Sequence, residues 1–295
     1  MHVDVLCVGH ASYDLVFLVP EDPQPDQKTR ATGFLQCGGG PAANAAVAVA
    51  RLGGTAAFAG YLGEDRYGDK HLLELGRDGV LTDLVVRGAA PTPLSVVLVK
   101  PNGQRLLTNY REDTEPLPEG SVDFSPISAS VVLLDGHEPE ISPALAVAAK
   151  EQGAVIVLDA GSVHRGTEAL IDLVDYLVCS EDFAAQFTDA DSHDATLAEL
   201  YRHAPNVVIT LGSKGLIWMT RQGSGLLPAF PVTAFDTTGA GDAFHGAFAA
   251  CLARNLDWEQ TLRTASAAAA LSCTRLGARP GIPRSAEVEE FFANG

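Results

Sequence analysis

The sequence predicts an α/β protein: a three-layer α/β/α sandwich with a doubly wound, mostly parallel sheet between two layers of helices. Three observations predict it. Short apolar runs of strand length recur from residue 3 to residue 210, segments with helical spacing separate them, and two glycine-rich turns open alanine-rich helices. Strands that alternate with helices in this way pair in parallel through right-handed crossovers.

In chain order, strands are read at 3–8, 56–61, 131–134, 154–159, 176–179 and 207–210, each a continuous apolar run of the kind that is buried on both faces. Helices are read at 41–52, 67–78, 143–152, 197–203, 244–254, 258–276 and 286–293. Pro41 suits a first helical position, and the alanines and valines that follow can pack tightly on a sheet. Two further pairs have strand character, 14–19 with 32–36 and 95–100 with 105–109. Pro101-Asn102-Gly103 marks the second as a hairpin, and the proline- and charge-rich stretch 20–30 reads as an exposed loop. From the residues alone these pairs fit edge strands of the main sheet. No internal repeat divides the chain, so residues 1–295 are expected to form one α/β domain with a small appendage.

Composition narrows the function. Lys and Arg number 20 against 37 Asp and Glu, a net charge of −17 that argues against nucleic-acid binding. The five cysteines are scattered with no CxxC pair, so they read as reduced core thiols, not zinc ligands or a disulfide framework. The start, Met1-His2-Val3-Asp4, lacks a basic region before an apolar core, and no uncharged apolar run reaches membrane-spanning length. The expectation is a cytoplasmic protein with neither nucleic-acid nor membrane partners.

The chemistry concentrates in Asp236-Thr237-Thr238-Gly239-Ala240-Gly241-Asp242-Ala243-Phe244. A glycine-rich turn here feeds a helix N-terminus, whose unpaired N–H groups and positive dipole end suit an anion. Asp242 would repel that anion. It serves either to complement the helix dipole or to accept a proton from an attacking hydroxyl. The second motif is Gly38-Gly39-Gly40-Pro41-Ala42-Ala43-Asn44-Ala45-Ala46, continuing to Arg51-Leu52-Gly53. Its glycines permit close backbone approach, and Asn44 is the only side chain between residues 41 and 50 that forms hydrogen bonds. Gly9-His10-Ala11-Ser12 after the first strand lacks the spaced glycines of a dinucleotide fold, which removes a dehydrogenase reading.

Together the two motifs resemble both signatures of the ribokinase-like (PfkB) carbohydrate kinase family, in the same order across nearly the whole chain, nearest its fructokinase and sulfofructose kinase types. That resemblance implies a small β-sheet lid, with strands within about 14–36 and 94–110, which covers the sugar and often pairs two subunits. It implies Asp242 as catalytic base and the amides of Gly239, Ala240, Gly241 and Asp242 as an anion hole. Asp236 and Thr238 lie where relatives bind a monovalent cation, K⁺ in many, though Asp236 could equally just shape the turn. Thr210-Leu211-Gly212-Ser213-Lys214-Gly215 resembles the family's T-x-G-x-x-G nucleotide loop, so Thr210, Gly212, Lys214 and Gly215 are expected at ATP, and Ala270 and Cys273 at its adenine. ATP and Mg²⁺ are the implied cofactors. One departure stands out: the N-x-x-E run that supports magnesium in many relatives is here Ser180-Glu181-Asp182-Phe183, where Glu181 or Asp182 either acts through water or caps a helix.

On the acceptor side the resemblance assigns Asp14, Gly39, Gly40 and Asn44 to sugar hydroxyls. Lys28, Asn109 and the segment from Cys273 to Pro283 resemble the sulfofructose kinase branch, in which Lys and Asn help hold a sulfonate. His137 stands where that branch has an arginine, and an imidazole does not reproduce the arginine fork. The resulting expectation is an ATP-dependent kinase acting on a primary hydroxyl of a fructose-like ketohexose, with sulfofructose as a variant. Ribose or nucleoside phosphorylation is the alternative, for which Phe17, Phe34 and Tyr110 are candidate stacking residues. A degenerate sugar-sensing protein is the alternative of a different class.

Overall fold

A computed structural model of the chain describes every residue except Gln27, Glu112 and Gly295. The first part of the chain forms β1 (His2–Val8), β2 (Ser12–Leu18), β3 (Gly33–Gly39), α1 (Pro41–Arg51), β4 (Ala56–Gly63), α2 (Arg66–Arg77) and β5 (Leu81–Gly88). The middle forms β6 (Leu94–Val99), β7 (Arg105–Tyr110), β8 (Ser128–Leu134), α3 (Ser142–Glu151), β9 (Val155–Ala160), α4 (Arg165–Leu170), β10 (Tyr176–Ser180), α5 (Glu181–Phe187) and α6 (His193–Leu200). The last part forms β11 (Asn206–Thr210), β12 (Leu216–Thr220), β13 (Gly223–Leu227), α7 (Ala240–Ala253), α8 (Trp258–Ser272), α9 (Ala278–Gly281) and α10 (Ser285–Asn294).

Nine strands form the main sheet in the order β13-β12-β11-β10-β9-β8-β1-β4-β5, parallel from β11 to β5 and antiparallel at β12 and β13. Its two faces bury separate cores. Val5, Cys7, Phe58 and Leu133 pack under α1, α7 and α8, whereas Leu6, Val8, Leu134, Ile156 and Leu158 pack under α3 to α6. The expected α/β/α layering is therefore observed.

Several expected boundaries differ. The 258–276 helix ends at Ser272; Gly277, at φ +84°, turns the chain into the separate short α9. The 197–203 helix runs from His193 to Leu200 instead, capped by Ser192, whose side chain accepts from the Ala195 amide. α7 begins four residues before residue 244, directly at the glycine turn. Strands β5, β12 and β13 were not anticipated: β5 and β13 are the two edges of the sheet, whose mixed polarity hides the apolar-run signal, and β12, an apolar run at Leu216–Thr220, follows β11 after a short turn and was not separated from it.

The two extra strand pairs do not edge the main sheet. They make a separate four-stranded sheet, β3-β2-β6-β7, joined by antiparallel pairs and a parallel β2–β6 pair. Here β2 starts at Ser12, and β3 continues through Gly38 and Gly39, so the glycine motif is itself the end of a lid strand. Register aligns Cys37, Asp14, Ser95 and Asn109 in one row across all four strands. Phe34, Phe17, Leu98 and Leu106 form a row on the opposite face, because successive side chains alternate.

The seam between α1 and α7 positions the site. A side chain at Gly246 would run into the Ala45 carbonyl and the Ala48 methyl, so the two helices approach almost backbone to backbone. Ala45, Ala48, Ala243, Ala247 and Ala250 are all buried there.

Candidate active site

Asn44 follows the glycine turn by one helical turn on α1, and Asp242 lies in the first turn of α7. The tight seam brings them together: Asn44 Nδ2 donates to Asp242 Oδ2 at 2.8 Å. Asp242 is half-buried, and among the described residues its Oδ1 has no protein hydrogen-bond donor. Gly239 precedes it with φ +76°, and a side chain there would collide with Ala278 of α9, so both backbone and packing require glycine.

The amides of the turn are divided. Ala240 N–H donates to Thr237 O at 3.4 Å, which takes it partly out of the expected anion hole. Among the described residues, the amides of Gly239, Gly241 and Asp242 donate to no protein acceptor and stand at the positive end of a 14-residue helix. The Asp236 carboxylate is occupied by protein donors: Oδ1 accepts from Thr238 N and Oγ1 at 2.9 and 2.6 Å, and Oδ2 from Gly277 N at 2.8 Å. The carbonyl of Cys273 accepts from the Phe235 and Asp236 amides, so the end of α8 is tied to the same turn.

On the lid side, Asp14 is buried beside Gly39, where any side chain would occupy the position of its carboxylate. Ser12 Oγ donates to Asp14 Oδ1 at 3.0 Å, and Ser95 Oγ donates to Ser12 Oγ. Burial raises the Asp14 pKa to about 6 against the pull of these hydroxyls. Asn109 lies in the same row as Asp14 and Ser95. Ser95 was not foreseen; a serine within an apolar strand carries no signal until its register is known. Lys28 is exposed in the connection that leaves β2 at the end remote from Asp14. Phe17, Phe34 and Tyr110 stand on the lid face opposite Asp14, so they form no stacking platform for a base in the cleft.

His137 sits at the end of β8 in a group of three imidazoles. Its ring lies 5.2 Å from that of His10 and stacks on that of His164 at 4.9 Å. Asp135 fixes this corner by accepting from the amides of His10, His137 and Ala42, at 2.7, 2.9 and 3.2 Å. Burial, then the neighbouring His137, pushes the His10 pKa down to about 3. A small hollow joins His10 and His137 to Arg111, Thr114 and Glu138, and burial raises the Glu138 pKa to about 7. Arg111 thus lines the same hollow as His137, on the side where an arginine was expected and His137 found.

At the loop expected to take the nucleotide, Thr210 Oγ1 donates to Cys179 O, and the next residues form a 3₁₀ turn at Gly212–Lys214. Gly215, at φ +99°, turns the chain into β12, and a side chain there would strike Leu227 O. Lys214 Nζ pairs with Glu181 Oε1 at 3.2 Å, and Ser180 caps α5 by accepting from the Phe183 amide. Glu181 therefore joins β10 to the loop, in the run where the sequence departs from N-x-x-E. Ala270 is half-buried at the end of α8 near Cys273.

Two buried clusters were missed. His245, one turn after Asp242, places Nδ1 2.7 Å from Gly241 O and 3.3 Å from Asp159 Oδ2, with Nε2 3.1 Å from Val178 O. Burial raises the Asp159 pKa to about 7, opposed by His245. Arg279 of α9 is buried with His71 and close to Glu74 of α2. Arg279 lies within the segment from Cys273 to Pro283 singled out above, but neither its burial nor its partner Asn44 can be read from periodicity, and His245 and Asp159 meet only across the fold. Among the described residues, no group of three or more His, Cys, Asp or Glu side chains is arranged to hold a metal, and no helix is long and apolar enough to cross a membrane.

Comparison with known proteins agrees with this geometry. Residues 3–285 match the pfkB family carbohydrate kinase. The chain is 30% identical over 295 residues to a ribokinase of Bacillus subtilis (strain 168), covering 98% of this chain and 99% of that relative. It is 31% identical over 292 residues to fructokinase-1 of Zea mays, covering 89% and 90%. A ribokinase of Arabidopsis thaliana, solved in complex with ribose and ATP, superposes with a TM-score of 0.81 at 27% identity, covering 98% of each chain. Two glycine turns that meet across a helix seam, a lid sheet beside them and likeness along the whole length lead to one assignment: the chain belongs to the pfkB family of carbohydrate kinases and is a phosphotransferase acting on a sugar.

Proposed function

We propose that the enzyme transfers the γ-phosphoryl group of ATP to a primary hydroxyl of a fructose-like ketohexose. The observation that carries the reading is Asp242 at the N-terminus of α7, one oxygen held by Asn44 and the other, among the described residues, without a protein donor, beside three amides that those residues leave unpartnered. In this reaction Asp242 Oδ1 takes the proton of the acceptor hydroxyl as its oxygen bonds to the γ-phosphorus. The bond from γ-phosphorus to the bridging oxygen breaks, and ADP leaves with that electron pair. The amides of Gly239, Gly241 and Asp242 hold the non-bridging oxygens, where charge is spread in the transition state.

The acceptor is held from above by Asp14, Ser95 and Asn109, and from the floor by Asn44, with Gly39 and Gly40 admitting it close to the backbone. A short carboxylate that accepts two hydroxyls suits a polyol. His137 and Arg111 are positioned for the remote end of the acceptor, where a sulfonate would lie if the sugar is sulfofructose. Similarity to fructokinases supports the ketohexose; comparable similarity to ribokinases supports ribose as the second reading.

ATP is assigned to Thr210, Gly212, Lys214 and Gly215, with the adenine near Ala270 and Cys273. The ATP bound in the Arabidopsis ribokinase supports ATP as the nucleotide. Magnesium, which in phosphoryl transfer neutralises β- and γ-phosphate oxygens, would ride on the nucleotide, as suits a protein with no three-ligand cluster among its described residues. A monovalent cation would use backbone oxygens near Asp236 and Thr238, since the carboxylate of Asp236 is already engaged. The exposed apolar Phe34, Val96, Leu106 and Tyr110 on the outer lid face suit a homodimer formed through the lids. One domain spanning 1–295 and a cytoplasmic site complete the proposal, the latter supported by five free cysteines.

The test is sugar-dependent ADP release across ketohexoses, aldopentoses, sulfosugars and nucleosides at fixed magnesium, with potassium varied. Fructose or sulfofructose giving the highest kcat/KM supports the reading. Ribose giving it replaces the acceptor, and no release with any sugar overturns the kinase assignment for this site.

A further inference from the structure

Arg279 is an unusual residue to find buried. It is 2% exposed, in the four-residue α9, and a guanidinium taken out of water requires partners to offset its desolvation. Burial does disfavour its charged form, lowering its pKa, with Glu74 opposing. Its donors are used unevenly, and Nη1 has no hydrogen-bond partner among the described residues. Nε and Nη2 both donate to Asn44 Oδ1, at 3.2 Å each, and Nη2 also lies 2.8 Å from His71 Nε2. Nη1 lies 3.7 Å from Glu74 Oε2, which itself accepts from the Gly38 amide at 2.7 Å. A side chain at Gly38 would displace this guanidinium.

The consequence concerns Asn44. A primary amide has one end that accepts and one that donates, and the two can exchange by a half-turn of the side chain. Two N–H groups pointed at one end allow only oxygen there. The amino end must then face α7, where it meets Asp242 Oδ2. Were the amide reversed, its oxygen would face the carboxylate, and two acceptors would oppose each other.

We propose that Arg279 is a positioning residue for phosphoryl transfer: by fixing the orientation of Asn44 it holds Asp242 with Oδ1 turned to the acceptor hydroxyl. In this role the residue acts through Asn44. The same α9 segment braces the anion turn, since Ala278 fills the space beside Gly239 and the Gly277 amide donates to Asp236. One short segment thus sets both the base and the turn that holds the phosphoryl oxygens. This inference rests on the reading of Asp242 as base.

A double-mutant cycle in the full-length enzyme tests it. Asn44→Ala, Arg279→Met and the pair are compared in kcat at saturating sugar and ATP, with thermal melting measured on each. Arg279→Met is expected to lower kcat about 30-fold in the natural background and less than about 3-fold when Asn44 is alanine, with thermal melting showing that each variant is folded at the assay temperature. If Arg279→Met does not fold, Arg279→Lys serves: it keeps the charge near Glu74 but lacks the fork that presents two N–H groups to one oxygen. Equal losses of kcat in both backgrounds overturn the inference. Asp242→Asn separates the two levels. If it abolishes turnover while the cycle is additive, only the Arg279 role fails; if it retains more than about a tenth of turnover, the base assignment fails and this role with it.

Discussion

Asn44 and Asp242 are 198 positions apart in sequence, yet their side chains meet at 2.8 Å. The contact exists because α1 and α7 are built from alanine and glycine where they cross, so neither helix keeps the other at side-chain distance. Packing fixes the geometry, and the geometry leaves one oxygen of Asp242 without a protein donor among the described residues.

Replacing that oxygen tests the chemistry directly. Asp242→Asn keeps shape and can still face Asn44, but it has no basic oxygen for a proton. Turnover should fall about 10²–10⁴-fold, with sugar and ATP affinities within a few-fold of the natural enzyme, measured by steady-state kinetics and calorimetry.

The seam should tolerate no added volume. Gly246→Val forces a branched side chain against the Ala45 carbonyl and Ala48, and should cost about 1–3 kcal/mol or more of stability. Urea unfolding would show a lower midpoint. An unchanged midpoint would mean that the helices are not in close backbone contact.

With Asp14 holding the sugar as proposed, acceptor binding should depend on pH. Its carboxyl is raised from an ordinary 3.8 to about 6 by burial. Between those two values the folded chain keeps a proton that the unfolded chain has released, so this group's contribution to stability falls as pH rises through the window. Asp14→Asn should therefore gain up to about 3 kcal/mol over the natural protein at pH 7 and nothing below about pH 4. Sugar binding should show the opposite trend. The ionised form accepts hydroxyls, so kcat/KM for the sugar should drop below about pH 6, a drop that Asp14→Asn should lack.

Gly39 is required by the same carboxylate. Gly39→Ala would push Asp14 out of its row and should raise the sugar KM by about tenfold or more, leaving the KM for ATP nearly unchanged. A sugar KM within twofold of normal would separate Gly39 from acceptor binding.

The parts of the molecule that the sequence made legible are those in which neighbouring residues cooperate. The glycine turns are contiguous, and the buried parallel strands advertise themselves as apolar runs. The turn before α7 and the helix after Gly40 were both readable for that reason. Strand β5 was not, because an edge strand with Asp83 and Arg87 lacks such a run. Arg279, Ser95 and His245 were hidden more deeply: each gains meaning only from register or from residues far along the chain. Phe17, Phe34 and Tyr110 show the converse, with suitable residue types placed by strand alternation on the wrong face of the lid.

One lid contact bears on how the two substrates sense each other. Arg105 of β7 donates through Nη1 to Thr237, to its carbonyl at 2.6 Å and its hydroxyl at 3.1 Å, so roof and floor are stitched together ahead of the phosphate turn. A sugar that draws the roof down would steady the floor for the nucleotide, and thermodynamic reciprocity then requires the nucleotide to tighten the sugar by the same factor. Titrating each substrate with and without the other would measure that mutual enhancement, and Arg105→Ala should erase it.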